Sequence, residues 1–220
     1  MYPYELIPGT GIDLYSILIV VGVIAAFVTL RFLSDKTKIP AKVFNFAILT
    51  SIVAIVVGWL AAMLFQAVYN FTATGEFVFK GQTFLGGLIG GAAVFLLFYF
   101  IVGKFVFKGS DAHIKNFGTL LNILIPCLVV AHGFGRIGCL TAGCCYGEVT
   151  DAWYGVHMHS GGVWADRVPT QLFEALFLFA LFAVLLVLVI KVKMKNTLSV
   201  YLIAYGVWRF LIEFVRADNE

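Results

Sequence analysis

Apolar residues in this chain come in runs of twenty or more, broken by short clusters of glycine, lysine and acidic residues. Six runs are long enough to cross a bilayer as helices of roughly twenty residues. They cover about 13–33, 43–69, 83–107, 116–135, 170–192 and 197–216. The second and third exceed what the hydrocarbon requires, which predicts tilt or extension past it. "TATGEF" and "FKGQ" separate those two, while Asn116, Asn122 and His132 interrupt the fourth. The expected fold is all-α: a polytopic membrane helix bundle of about six transmembrane helices, forming one integral-membrane domain over residues 1–220. No soluble domain, low-complexity segment or internal repeat interrupts it.

Composition excludes the alternatives. Hydrophobic residues make up 61% of the 220 positions and charged residues 12%, about half the charged share of soluble domains. Water cannot face that much apolar surface. A net charge of +3 is small and says little about nucleic acid, and the chain carries no basic tract or nucleic-acid module. The opening "MYPYELIPGTGID" lacks the positive region of a signal peptide, so the first run is read as a retained span. Lysine and arginine then set the orientation. Arg31, Lys36, Lys38 and Lys42 follow span one; Lys104, Lys108 and Lys115 follow span three; "KVKMK" follows span five. The alternate loops hold Lys80, then Arg136 and Arg167, the latter two offset by Glu148, Asp151 and Asp166. This pattern places both termini and the 136–169 loop outside.

Chemistry gathers at that outer end. "GRIGCLTAGCCYG" (135–147) closes span four, and Glu174 opens span five. In "YGVWRFLIEFVRAD", Arg209, Glu213 and Arg216 fall at i, i+4 and i+7, one stripe of a helix. Tyr15 begins span one, and "LGGLIGG" with Gly86 and Gly87 begins span three. Charges in a bilayer face the bundle interior or water, where they satisfy one another. The bland alternative is snorkelling and structural pairing, Arg209 with Glu213 being a good helix pair. Arg136, Glu174, Arg209 and Glu213, drawn from three helices, point instead to a polar cavity that attracts phosphate. A guanidinium fork matches phosphate oxygens, and a phospholipid headgroup is the nearest abundant phosphate.

These residues resemble the bacterial prolipoprotein diacylglyceryl transferase family. Its signature, approximately G-R-x-G-N-F-x-N-x-E-x-x-G, is similar to "GRIGCLTAGCCYG", with Arg136, Gly138 and Gly147 matching. A second block, H-P-T/S-Q-L-Y-E, resembles "VPTQLFE", carrying Gln171 and Glu174. A third, Y-G-x-x-R-F-x-x-E-x-x-R-x-x-D, resembles "YGVWRFLIEFVRAD", with the closing aspartate one place early at Asp218. Tyr15 suits the family's first-helix tyrosine. The resemblance implies transfer of a diacylglyceryl group from phosphatidylglycerol to a lipoprotein precursor at the outer face of the bacterial cytoplasmic membrane. It also implies a further helix after the last one here. Cysteines and apolar residues replace several family groups. Cys139 and Ala142 stand for the signature asparagines, Cys144 for its glutamate, Leu85 and Val168 for two histidines. The chain reads as a cysteine-bearing branch.

Four readings of Cys139, Cys144 and Cys145 stay open. Inert packing suits Cys127 at mid-membrane better than it suits "GCCYG" beside an arginine. A nucleophile or acceptor is the second, since Arg136 favours the thiolate. A disulfide of Cys139 with Cys144 or Cys145 is the third. Zinc, with His157 and His159 as further ligands, ranks last because C-x4-C-C is not a standard spacing. No metal and no cofactor is therefore expected. His132 is the best-placed imidazole for proton transfer, although a buried histidine bonded to a carbonyl reads as well.

The leading expectation is a membrane transferase using a phosphatidylglycerol-like donor, with a lipoprotein precursor or another thiol as acceptor. Arg136, Arg209, Cys139, Cys144, Cys145 and His132 are the catalytic candidates. Tyr15, Gly86, Gly87, Gly138, Tyr146, Gly147, Gln171, Glu174, Glu213 and Arg216 are the substrate-binding candidates. The competing reading is a non-catalytic lipid-binding or thiol-redox protein on the same fold.

Overall fold

In the computed structural model, the described residues are Leu6, 13–79, Gly81, 83–160 and 163–217, so Lys80 and Asp218 lie outside them. The chain is nearly all-α. Among the described residues, five helical stretches are long and apolar enough to cross a membrane: Leu14–Thr37, Ala41–Thr72, Leu85–Val106, Ala112–Ala142 and Thr170–Val192. We label the helices α1 (Leu14–Thr37), α2 (Ala41–Thr74), α3 (Phe84–Leu97), α4 (Gly103–Val106), α5 (Ala112–Ala142), α6 (Thr170–Val187) and α7 (Thr197–Glu213). Single π turns extend α3 and α6 over Phe98–Val102 and Leu188–Val192. The sixth expected span is α7, whose 17 residues stand at the short end of what crosses a bilayer.

Two differences from the sequence expectation matter for the site. First, α5 does not stop near residue 135 but continues through Arg136 and Cys139 to Ala142. Second, the loop between α5 and α6 contains a two-stranded antiparallel hairpin, β1 (Val156–Ser160) and β2 (Val163–Arg167). The hairpin is short; its signal in the sequence is the period-two alternation of Val156, His157, Met158 and His159 ahead of a Gly-Gly pair, which the search for long apolar runs passes over.

The chain forms two compact units, residues 38–120 and residues 1–37 with 121–220. Within the 38–120 unit, α2 and α3 approach until glycine is required. A Cβ on Gly86 would lie 2.6 Å from Phe65 Cβ, and one on Gly90 would lie 2.4 Å from Ala61 Cβ. Gly87 faces Ala62 and the Gly58 carbonyl. Small residues of this kind let membrane helices pack backbone to backbone. Tyr99 is fully buried among Phe46, Phe95 and Phe117, and its hydroxyl donates to the His113 carbonyl at 3.0 Å.

The other unit is built on Ile125 and Val129 of α5 packed with Leu178, Leu181 and Leu185 of α6. Pro126 sits inside α5. It has no N–H to donate to the carbonyl four residues back, that of Asn122. The Thr197 hydroxyl donates to that carbonyl instead, at 2.8 Å. The Asn122 side chain completes the junction: its Oδ1 accepts the Thr197 N–H at 3.0 Å, and its Nδ2 donates to the Met194 carbonyl at 2.6 Å. Asn122, which interrupts the fourth apolar run, thus caps the turn leading into α7. A polar residue at this depth survives because every one of these groups is satisfied.

Candidate active site

Arg136, nearly two turns before the end of α5, meets Glu174 in the second turn of α6. The Arg136 Nε lies 3.1 Å from Glu174 Oε1, and the glutamate side chain is only 3% exposed. A buried carboxylate needs such a partner and further donors. Tyr205 of α7 supplies one, its hydroxyl donating to Glu174 Oε1 at 2.8 Å. His132, one turn before Arg136, brings Nε2 to 3.9 Å from the same oxygen and sets its ring edge-on to Tyr205. Three helices therefore converge on one carboxylate. Tyr205 is absent from the sequence-derived candidates. The signal was its position, four residues before Arg209 and on the same helical face.

Arg209 and Glu213 pair within α7, one turn apart, and both side chains are partly exposed. Trp208 stacks on Phe177 of α6 with centroids 4.5 Å apart, which holds this part of α7 against α6. Glu174 serves Arg136 and Glu213 serves Arg209; each arginine has its own acid.

The "GCCYG" segment is shaped by two left-handed residues. Gly143 has φ +70° and Cys145 φ +59°. At Gly143 a side chain is excluded twice, because a Cβ would also stand 2.6 Å from the His159 carbonyl oxygen of β1. At Cys145 the left-handed conformation costs roughly 1–2 kcal/mol and persists only where the surroundings determine it. The next helix supplies the constraint. Thr170 Oγ1 donates to the Cys145 carbonyl at 2.8 Å, and Gln171 Nε2 donates to the Cys144 carbonyl at 2.6 Å. The Cys144 N–H closes back onto the Cys139 carbonyl at 3.2 Å. The "PTQ" block is thus the clamp for the two-cysteine turn, and Gln171, fully buried, is part of it.

Beyond the turn, residues 147–148 run between two other segments. The Gly147 N–H donates to the Val168 carbonyl, the Val168 N–H to the Glu148 carbonyl, and the Glu148 N–H to the Val215 carbonyl. Gly147 and Arg216 form a β-bridge. A Cβ on Gly147 would stand 2.6 Å from the Val215 carbonyl oxygen and 2.8 Å from Val168. Tyr146 lies beneath the Arg167 guanidinium, 4.5 Å from its ring centroid. Gly138 seats the ring of Tyr15, whose Cδ2 would be 3.0 Å from an added Cβ.

These constraints gather three thiols. The sulfurs of Cys139, Cys144 and Cys145 all lie within 4.8 Å of one another, and none is in a disulfide. Hydrogen bonds from the Cys139 and Cys144 thiols, with the charges of Arg136 and Arg216, hold the Cys145 thiol below its usual pKa. Tyr15 lies within electrostatic reach of all three. The structure therefore brings Arg136, His132, Glu174 and Tyr205 into one cluster and Tyr15 and the three cysteines into another, with Arg136 acting on Cys139 and Cys145. Gly86 and Gly87 belong to the α2–α3 packing described above. Of the remaining imidazoles, His157 pairs across the hairpin with Asp166 at 2.7 Å and stacks on Trp164.

Residues 4–220 match the family model described as prolipoprotein diacylglyceryl transferase. The chain is 34% identical to phosphatidylglycerol–prolipoprotein diacylglyceryl transferase 2 of Clostridium perfringens, over 96% of this chain and 81% of that one. It is 32% identical to the corresponding transferase of Clostridium tetani, over 96% and 83%. A third relative, from Dehalococcoides mccartyi, is 30% identical over 94% and 78%. With spans, motif blocks and near full-length matches in agreement, this multi-pass membrane chain belongs to the prolipoprotein diacylglyceryl transferase family and is an enzyme of that transferase type.

Proposed function

We propose that the chain moves the diacylglyceryl group of phosphatidylglycerol onto the cysteine thiol of a lipoprotein precursor, at the outer leaflet of the bacterial cytoplasmic membrane. The observation that carries this reading is the buried Arg136–Glu174–Tyr205 set in a chain related to enzymes named for that transfer. Glu174 lies against the Nε of Arg136 and the Tyr205 hydroxyl bonds the same guanidinium, so the N–H groups left over are the donors offered to the lipid phosphate. Arg209, oriented by Glu213, is the second guanidinium. The acceptor thiol gives up its proton to solvent, its sulfur attacks the glyceryl carbon, the carbon–oxygen bond to phosphate breaks, and glycerol phosphate leaves with that electron pair. The two guanidinium groups stabilise the charge that builds on the departing phosphate. Placement at the outer leaflet follows from the lysine-rich alternate loops.

Transfer from labelled phosphatidylglycerol to a thiol-bearing precursor peptide tests the reading. Arg209→Ala removes a partly exposed side chain and should leave the fold intact. Loss of one such preorganised donor lowers turnover by about 100-fold or more. Undiminished transfer by that variant would discard the role of Arg209.

A further inference from the structure

A chain that requires a nucleophilic thiol must lower the cost of removing its proton. Here Leu85 and Val168 stand where the resemblance implies histidines, and Cys139 and Cys144 stand where it implies an asparagine and a glutamate. The geometry supplies a different device. Three sulfurs within 4.8 Å of one another come from two positions: the last turns of α5 and a turn folded back on it by two left-handed residues. The turn is held by its backbone carbonyls, through Thr170 and Gln171, so the clamp does not use the sulfurs, of which Cys144 Sγ makes one weak bond to the Cys139 carbonyl at 3.7 Å. Tetrahedral zinc with Zn–S bonds of 2.3 Å requires sulfurs about 3.8 Å apart. Side-chain rotation of under about 1 Å brings the present set to that spacing. Spacing along the sequence ranks zinc last because C-x4-C-C matches no standard motif; the left-handed turn is what makes it a convergent ligand set.

The number of ligands is informative. Among the described residues, the convergent group is three cysteines and no fourth ligand. Of the two histidines the sequence offered, His157 is held by Asp166 and His159 lies against the Trp164 ring. Structural zinc sites close with four protein ligands, whereas reactive ones keep three and leave one position open. The site is also accessible, with Cys144 exposed and Cys139 and Cys145 half-buried. Three thiolates on a divalent ion leave one net negative charge, and Arg136 and Arg216 are placed to balance it.

We infer that Cys139, Cys144 and Cys145 bind a zinc ion through three thiolates, and that its fourth position takes the acceptor's sulfur. This inference rests on the thiol-acceptor reading above. A thiol entering that position loses its proton to solvent, because the metal stabilises the thiolate. The bound sulfur then forms the carbon–sulfur bond as the carbon–oxygen bond to phosphate breaks. No electrons change hands, and no oxidant is needed.

The full chain in detergent, reduced, supplied with Zn2+ and desalted, should retain one zinc per chain. Cys139→Ser, Cys144→Ser and Cys145→Ser should each reduce retention at least tenfold, and Cys127→Ser should not. Equal retention in all four variants, or no retention in the parent, overturns the site. So does a disulfide joining two of the three cysteines in protein taken directly from membranes. Because a serine variant can fail to fold, the unsubstituted protein is also loaded with Co2+. N-acetylcysteine methyl ester should raise the thiolate-to-cobalt absorption by about one third, as three sulfur ligands become four, and the serine ester should leave it unchanged. No response to the thiol overturns the open position. Removal of zinc should lower transfer at least tenfold, and its return should restore it; transfer indifferent to zinc overturns the role in activating the acceptor. A zinc-loaded, thiol-binding protein that transfers nothing overturns the transferase reading and leaves the metal centre standing.

Discussion

Arg136 and Arg209 each meet one glutamate, yet the two pairs differ in almost every physical respect. Arg136 and Glu174 come from different helices, the carboxylate is 3% exposed, and a tyrosine from a third helix completes its shell. Arg209 and Glu213 are one turn apart on a single helix, with 34% and 42% of their side chains exposed. A buried pair is costly to break because the survivor keeps its charge without water. A partly exposed helical pair is worth a few tenths of a kcal/mol, screened by salt. The first pair can organise three helices; the second can aim one side chain but cannot hold a fold together.

That contrast can be broken by substitution. Glu174→Gln leaves the Arg136 guanidinium without its counter-charge, and a loss of about 3–5 kcal/mol is expected, seen as a lowered thermal midpoint in detergent. A midpoint near that of the parent would mean that water already solvates Arg136. Tyr205→Phe removes one hydrogen bond to a charged group and should cost about 1.5–3 kcal/mol. Its effect should shrink to about 0.5–1.5 kcal/mol in the Glu174→Gln background, where the amide oxygen still accepts but carries no charge, and a double-mutant cycle measures the difference. Glu213→Gln should lower stability by only about 0.5 kcal/mol or less. If the Arg209 guanidinium is aimed by Glu213 at the lipid phosphate, transfer should nevertheless fall, and the stability and activity readouts should part.

The same contrast explains what could be read from the chain. Long apolar runs locate the spans because bilayer thickness permits few solutions, and residues 170–192 are a helical span as expected. The i, i+4 pairing of Arg209 with Glu213 follows from helix geometry alone. By contrast, α5 continues to Ala142 because the polar and small residues after Gly135 still satisfy helical hydrogen bonds, although their composition resembles a loop. The convergence of His132, Arg136, Glu174 and Tyr205 depends on how three helices are rotated about their axes, which residue spacing does not specify. Cys145 is the hardest case. Cysteine has no preference for a left-handed backbone, and the conformation is imposed by two donors 25 and 27 residues further along the chain. Likewise, the glycines of α3 looked available to a ligand, while Gly86 and Gly87 are packed against α2.

The Pro126 junction has an architectural consequence. From the orphaned Asn122 carbonyl, α5 proceeds toward Arg136 and α7 proceeds from Thr197 toward Tyr205. That oxygen is a common datum from which both helices are measured. A slip of a single turn, about 5.4 Å, would carry the Tyr205 hydroxyl out of reach of Glu174. One missing amide hydrogen, beside the turn that leads into α7, thereby sets the alignment of groups several turns away.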